Sequence, residues 1–474
     1  MTIAVKPAGD ANVAAVVDDL VRRARAAMAI FTQADQARVD EAVTALAWSL
    51  YNPEHAKELA ALAVADTKLG NVPDKIIKKQ RKTFGTLRDL LRVKTVGIIE
   101  EDSARGIVKY AKPVGVVCAI TPSTNPGATP VNKAMMAIKG RNAIIIAASP
   151  AGLRTTTLCV DYMRAELKKI GLPEDLVQIL PPPASKDMTQ ALMQAADLVV
   201  ATGSQDNVRR AYSSGTPAIG VGTGNVPVIV DETADLDDAA RKICASKIFD
   251  NSTSCSSENA VVIVDAVYEP MLAALARVGG YRASPLEKER IQRALWPDGK
   301  LSRTLIARDA DVFARGCGLP AAAEKAKFFM VEETGVGRDF LFSGEKLSLV
   351  LTVYRAKDFE DAIERCDAIL RHQGLGHSVG LHTKYMSRGR VLAERSDVVR
   401  VLINQAHTFG NGGGFDNGLN FTLSMGCGTW GGNSITENLN YRHFINITHL
   451  VTTIPEDKPS EDELFGAYWK KYGK

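Results

Sequence analysis

The 474-residue chain carries 58 Lys and Arg against 54 Asp and Glu, and 46% of it is hydrophobic. So slight a positive balance argues against nucleic acid as a partner, and the length is more than a single core of ~250–300 residues organises. No apolar run approaches the ~20 residues that span a bilayer, and the N-terminus lacks a signal-peptide pattern. Seven scattered cysteines give no CxxC pair and no disulfide framework, which fits a reducing, cytoplasmic setting. Residues 11–95 read as helices, one after Asp10 as a cap and one after Thr32. The basic run "KIIKKQRK" (75–82) reads as a solvated helix face, with the docking of an anionic partner such as a phosphate-bearing substrate as the alternative. "TVGIIEEDSARGIVKYAKP" (95–113) reads as an extended arm with a turn at "EDSARG".

From 113 the texture changes. The apolar runs "VGVVCAIT", "NAIIIAAS", "LVQILP" and "DLVVATGS" alternate with helical segments such as "VNKAMMAIKG" and "TTTLCVDYMRAELKKIG". This is the pattern of βαβ units and of a parallel sheet buried on both faces. Ligands on such sheets sit at the carboxyl ends of the strands, here "TPSTNP", "SPAG" and "TGSQ". A second alternating region runs from "VPVIVDETADLDDAARKICASKIF" (226–249) through "VVRVLIN" (398–404). The glycine-rich stretch at 409–434 reads as an ordered loop region. No internal repeat and no separate encapsulation peptide is evident.

"FDNSTSCSSEN" (249–259) places Cys255 among small hydroxyl residues, between a helix and a strand. A thiolate that attacks carbonyls needs a partly exposed, polarised position of this kind. Cys118, Cys159 and Cys244 lie in apolar or periodic segments and read as buried fillers. Asn125 in the turn "TPSTNP" can donate to a developing oxyanion, although an ordinary Asx-turn has the same sequence. A zinc site from His377 and His382 finds no further ligand at suitable spacing. A redox role for Cys255 finds no resolving cysteine nearby in sequence.

Taken together, "TPSTNP", "ATGSQDNVRRAYSSGTPAIGVGTGNVPVIVDETAD", "KIFDNSTSCSSENAVVIVD", "GLGHSVGLHT" and "LSMGCGTWGGNSITENLNYRHFINI" resemble the CoA-acylating aldehyde dehydrogenases. The likeness is greatest to the acetaldehyde dehydrogenase half of bifunctional aldehyde/alcohol dehydrogenases, in collinear order over nearly the whole chain. It implies an α/β molecule with a Rossmann-like cofactor domain, a second α/β catalytic domain and an oligomerisation arm. The expected organisation is N-terminal helices of the cofactor domain at 1–94, the arm at 95–112, the cofactor domain at 113–230 and the catalytic domain at 231–424. Residues 425–474 are expected to return to the cofactor domain and supply a C-terminal oligomerisation segment.

By position, the resemblance makes Cys255 the nucleophile and gives the oxyanion hole to Asn125 with the Cys255 amide. It places Thr121, Pro122, Thr202, Gly203, Ser204 and Gly222 beside the cofactor, with Glu345 on the nicotinamide ribose. His377 matches a position commonly His in acylating relatives, where it assists the CoA thiol, lines its entry or simply caps a strand. The hydrolytic branch carries a glutamate as general base where this chain has Val221 in "VGTGNVP". Valine takes no proton, so the thioester is expected to await CoA rather than water. The expected cofactor is NADP or NAD. "IIIAASPAGLRT" has no acid to hold a ribose 2′-OH, and Ser149, Arg154 and Thr155 suit a 2′-phosphate, which favours NADP. The hydroxyl-rich surroundings of Cys255 suit an anionic aldehyde, with sulfoacetaldehyde ranked first and succinate semialdehyde next; acetaldehyde and propionaldehyde are the family's usual substrates. Arg303 or Arg400 is the candidate partner for the anion. The expected assembly is a homodimer or homotetramer. The alternatives are a hydrolytic aldehyde dehydrogenase and a non-catalytic scaffold of the same fold.

Overall fold

The computed structural model describes residues 8–183 and 185–474. Four helices open the chain: α1 (Ala8–Phe31), α2 (Gln36–Tyr51), α3 (Pro53–Thr67) and α4 (Val72–Leu91). The first begins ahead of the expected cap at Asp10, and the cap of α2 is Asp35 rather than Thr32. Asp35 accepts from the Arg38 N–H, satisfying one of the open donors of the first turn. Asn52 and Asn71 cap α3 and α4 in the same way.

β1 (Gly97–Asp102) and β2 (Ile107–Pro113) form an antiparallel hairpin. The chain then builds a parallel sheet from β3 (Val116–Thr121), α5 (Ala128–Lys139), β4 (Ala143–Ala148), α6 (Leu153–Lys169), β5 (Val177–Ile179), α7 (Lys186–Ala195), β6 (Leu198–Ala201), α8 (Gln205–Tyr212) and β7 (Ala218–Gly220). Its strand order is β5-β4-β3-β6-β7. Every residue of β3 is buried, because helices cover both faces. The order reverses beside β3, so β3 and β6 splay their following loops apart and leave a crevice between them.

The second sheet uses β8 (Val226–Val230), α9 (Leu236–Ile248), β9 (Glu258–Val264), α10 (Tyr268–Arg277), β10 (Gly280–Arg282), α11 (Pro285–Leu295), α12 (Ala310–Gly316), β11 (Phe328–Glu332), β12 (Val350–Ala356), α13 (Phe359–His372), β13 (Gly376–His382), α14 (Met386–Arg395) and β14 (Val398–Ile403). Its order is β10-β11-β12-β9-β8-β13-β14. The expected boundary at 230 therefore falls one strand late: β8 pairs with β9 and β13, so 226–230 belongs to the second sheet. A short helix α15 (His407–Gly410) follows. β15 (Ile445–Val451) joins β2 antiparallel, closing the order β1-β2-β15, and α16 (Glu461–Tyr472) ends the chain.

The basic run on α4 is not a solvated face. Lys75, Lys78 and Lys79 are buried, because α4 packs on α2, α3 and α5 and turns these side chains inward. Gly85 is required for this packing: a Cβ there would stand 2.3 Å from the Phe421 ring. The run reads as surface from sequence because its counter-charge lies far along the chain, in the segment before Cys255.

Candidate active site

The carboxyl ends of β3, β4 and β6 and the loops of the second sheet enclose a cleft of about 890 Å³. Thr121, Pro122, Asn125, Ser149, Thr202, Gly203, Ser204, Val221, Gly222, Cys255 and Glu345 all line it. Thus most residues singled out in the sequence come from separate segments to one surface.

Cys255 lies in a turn entered by three successive non-glycine residues with left-handed backbone, Asp250 (φ 51°), Asn251 (φ 52°) and Ser252 (φ 60°). Side chains hold that conformation. Asn251 donates to Asp309 at 2.7 Å, and the Ser252 hydroxyl donates to the Lys247 carbonyl at 2.5 Å. The fully buried Asp250 carboxylate accepts from Lys75 Nζ (3.0 Å), Lys78 Nζ (2.5 Å), the Thr253 hydroxyl (2.7 Å) and the Asn71 N–H (3.1 Å). Burial pushes its pKa up, but the Lys78 and Lys75 ammoniums more than reverse this and hold it below the usual carboxylate range. Burial lowers Lys75 to about 8 against the pull of Asp250.

Lys78 reaches one step further. Its Nζ also donates to Asn125 Oδ1 at 3.2 Å. This occupies the acceptor end of the amide and leaves Nδ2 as the end able to donate to a bound oxyanion. Lys75 binds the neighbouring Thr124 carbonyl at 3.2 Å. The two lysines therefore tie the loop carrying Asn125 to the loop carrying Cys255 through one carboxylate.

Cys255 is partly exposed at the cleft, yet its crowded surroundings push the thiol up to about 12. Burial is the foremost cause, the charges of Glu345 and Cys427 add to it, and Arg400 opposes them. Glu345 is itself raised to about 8 by burial, against Lys346 and Lys247. Gly224 lies against the nucleophile, and a Cβ there would stand 2.0 Å from the Cys255 carbonyl oxygen. The loop 221–224 thus passes directly over the cysteine, and Val221 presents no base to the cleft.

The cofactor side is polar but largely uncharged. The Thr121 and Ser149 hydroxyls are buried without hydrogen-bond partners, and Thr202 bonds Ser424 at 2.7 Å. Open hydroxyls at strand carboxyl ends fit a dinucleotide, whose ribose and phosphate oxygens need such partners.

A profile of the aldehyde dehydrogenase family matches residues 5–280. A sulfoacetaldehyde dehydrogenase (acylating) of Cupriavidus necator is 53% identical over 474 residues, spanning 100% of this chain and 96% of the relative. The chain belongs to the aldehyde dehydrogenase family. An acylating sulfoacetaldehyde dehydrogenase of Bilophila wadsworthia is 44% identical over 97% of this chain and 99% of the relative. An acetylating aldehyde dehydrogenase from Geobacillus thermoglucosidasius superposes with a TM-score of 0.91 at 33% identity, over 96% of this chain and 100% of that one.

Three expectations about this aldehyde dehydrogenase need correction. Arg154 does not line the cleft; it pairs with Asp66 on α3 at 3.4 Å, and Thr155 also donates to Asp66 at 2.9 Å. Both were assigned to a 2′-phosphate because they follow β4, but α3 supplies the carboxylate that draws them away. His377 is buried inside β13 and does not line the cleft. Its Nδ1 contacts the Ser378 hydroxyl at 2.7 Å, and burial, with Arg400 and His407, holds it well below the usual imidazole range. Arg400 is buried as well, and its donors go to the Asn438 side chain and to the His377 and Gly426 carbonyls. Arg303 does line the cleft and is exposed.

Reasoning from sequence missed Lys75, Lys78, Asp250, Lys82 and Thr408. For Asp250 a signal existed: an acidic residue five positions before a candidate nucleophile, with no other charge between the two.

Proposed function

We propose that this enzyme oxidises sulfoacetaldehyde with NAD(P)+ and coenzyme A to the corresponding acyl-CoA. The observation that carries the reading is the cleft itself: Cys255 and Asn125 share it, Val221 stands where a base for water would be, and the likeness to acylating sulfoacetaldehyde dehydrogenases spans the whole chain. Cys255 gives up its proton to solvent as its Sγ bonds to the aldehyde carbon, and the carbonyl π pair moves onto the oxygen. Asn125 Nδ2, held by Lys78, and the Cys255 N–H face the oxygen that gains charge. Thr121, Ser149, Thr202, Gly203, Ser204, Gly222 and Glu345 line the cleft and would hold NAD(P)+, which would supply the hydride acceptor. With no base at Val221, the thioester on Cys255 persists until the CoA thiol displaces it. The raised thiol pKa means that Cys255 rests protonated, and a positive charge arriving beside the sulfur favours the thiolate.

The enzyme is proposed to act in the cytoplasm as a homodimer or homotetramer. Ile447, Leu450 and Val451 on β15 and Leu464, Phe465, Tyr468 and Tyr472 on α16 are exposed, which supports a subunit contact along the arm and C-terminal segment. Among the described residues no helix is long and apolar enough to cross a membrane.

The test is an aldehyde panel with and without CoA. Sulfoacetaldehyde should give CoA-dependent NAD(P)H formation, and equal turnover without CoA would establish the hydrolytic reading instead. Cys255→Ala should abolish the reaction, and Val221→Glu should raise release of free acid.

A further inference from the structure

Lys82 ends the basic run, is half-buried and lines the cleft. Its Nζ donates to the Gly412 carbonyl at 2.6 Å, and among the described residues no carboxylate pairs with it. An ammonium has three donors, so two remain for a ligand. Gly412 belongs to the turn that follows α15. On the same turn the Asn411 amide donates to the Ser256 hydroxyl at 3.0 Å, next to the nucleophile. One short turn therefore bridges Lys82 and the Cys255 loop. Thr408, on α15 itself, also lines the cleft, is only 6% exposed, and its hydroxyl has no hydrogen-bond partner. A buried hydroxyl left open is costly unless a ligand completes it.

We infer that Lys82 Nζ and the Thr408 hydroxyl form the seat for the anionic head of the aldehyde, and that Lys82 sets the preference for an acidic over a neutral substrate. This rests on the reading of the substrate as sulfoacetaldehyde. One methylene separates the sulfonate of that molecule from its carbonyl carbon, so the seat must share the cleft with the thiol, as Lys82 and Thr408 do, linked to the Cys255 loop by the Gly412–Asn411–Ser256 path. The other cations near Cys255 are less suited. Lys75 and Lys78 are committed to Asp250, Arg400 does not line the cleft and gives its Nη donors to protein oxygens, and Arg303 is exposed, where salt screens it.

The test compares kcat/KM for sulfoacetaldehyde and propionaldehyde, with saturating CoA and NAD(P)+, in the full-length enzyme. Lys82→Met should lower the value for sulfoacetaldehyde by about 100-fold and that for propionaldehyde by less than about threefold, as loss of a charge-assisted contact in a desolvated site requires. Lys82→Arg should recover part of the loss. Thr408→Val should cost sulfoacetaldehyde about tenfold, and it carries the test alone if Lys82→Met does not fold. Wild type that prefers sulfoacetaldehyde, together with variants that keep this preference or lose both aldehydes alike, would overturn the inference and leave the substrate reading standing. Wild type with no preference for an anionic aldehyde would overturn the substrate reading, and the inference with it.

Discussion

Two positions along α4 treat lysine in opposite ways. Near its start, Lys75 and Lys78 meet one carboxylate and are consumed by it. Further along, Lys82 meets the Gly412 carbonyl and the face of the Phe421 ring, but no carboxylate among the described residues. The first arrangement fixes geometry: Asp250 and Asn125 are both positioned by the same ammonium. The second leaves a charge available inside the cleft. A buried cation is therefore informative about ligands only after its counter-charge has been sought in three dimensions, since pairing cancels much of its field.

The strongest way to break the contrast is to remove the counter-charge. Asp250→Ala leaves two lysines buried and unpaired, and urea unfolding should show a loss of about 3–5 kcal/mol. The same pairing gives an acid limit. Asp250 lies below its unfolded value, so its contribution is present above the usual carboxylate range and is lost as pH falls through the folded value. Next in size, Lys78→Met should free the Asn125 amide to turn. kcat should fall about 100-fold with little change in KM, as for loss of an oxyanion donor. The double variant with Asn125→Ala should be scarcely worse than Asn125→Ala alone, because both changes act on one group.

The third test sharpens the other side. Burial, with Arg81 and Lys78, lowers Lys82 to about 7, while Cys255 and Asp89 oppose the shift. Lys82 thus carries its charge below that pH and loses it above. The ratio of kcat/KM for sulfoacetaldehyde to that for propionaldehyde should fall about tenfold from pH 6 to pH 8, and taking the ratio cancels the ionisation of Cys255 itself. The smallest effect is expected for a cation already paired outside the cleft. Arg154→Ala should change KM for NADP+ by less than about twofold.

What sequence made legible was local. Apolar runs alternating with helical segments announced both parallel sheets, and the small hydroxyl residues around Cys255 marked an open thiol. The Val221 position was readable because a missing base is visible in one dimension. Pairings between distant segments were not. Asp250 lies 172 positions from Lys78, so neither end predicts that the other neutralises it. The same holds for Asp66, which draws Arg154 and Thr155 off the cofactor cleft. His377 sits in a strand whose surroundings decide its burial, and nothing in "GLGHSVGLHT" reveals that a neighbouring strand carries Arg400 beneath it. The alternating pattern already began the second region at Val226, and only the domain bound drawn at 230 placed β8 with the first sheet.

The left-handed run at Asp250, Asn251 and Ser252 has a consequence for motion. Ser252 gives up roughly 1–2 kcal/mol relative to the right-handed form, and Asp250 and Asn251, which tolerate it better, give up less. The approach to the nucleophile is therefore wound against its own preference and held by the bonds of Asp250, Asn251 and Ser252 to the chain around them. Such a segment should respond to the loss of one tether as a unit. In amide hydrogen exchange, the stretch before Cys255 should open first when Asp250 is disturbed, while β9, immediately after it, keeps its protons.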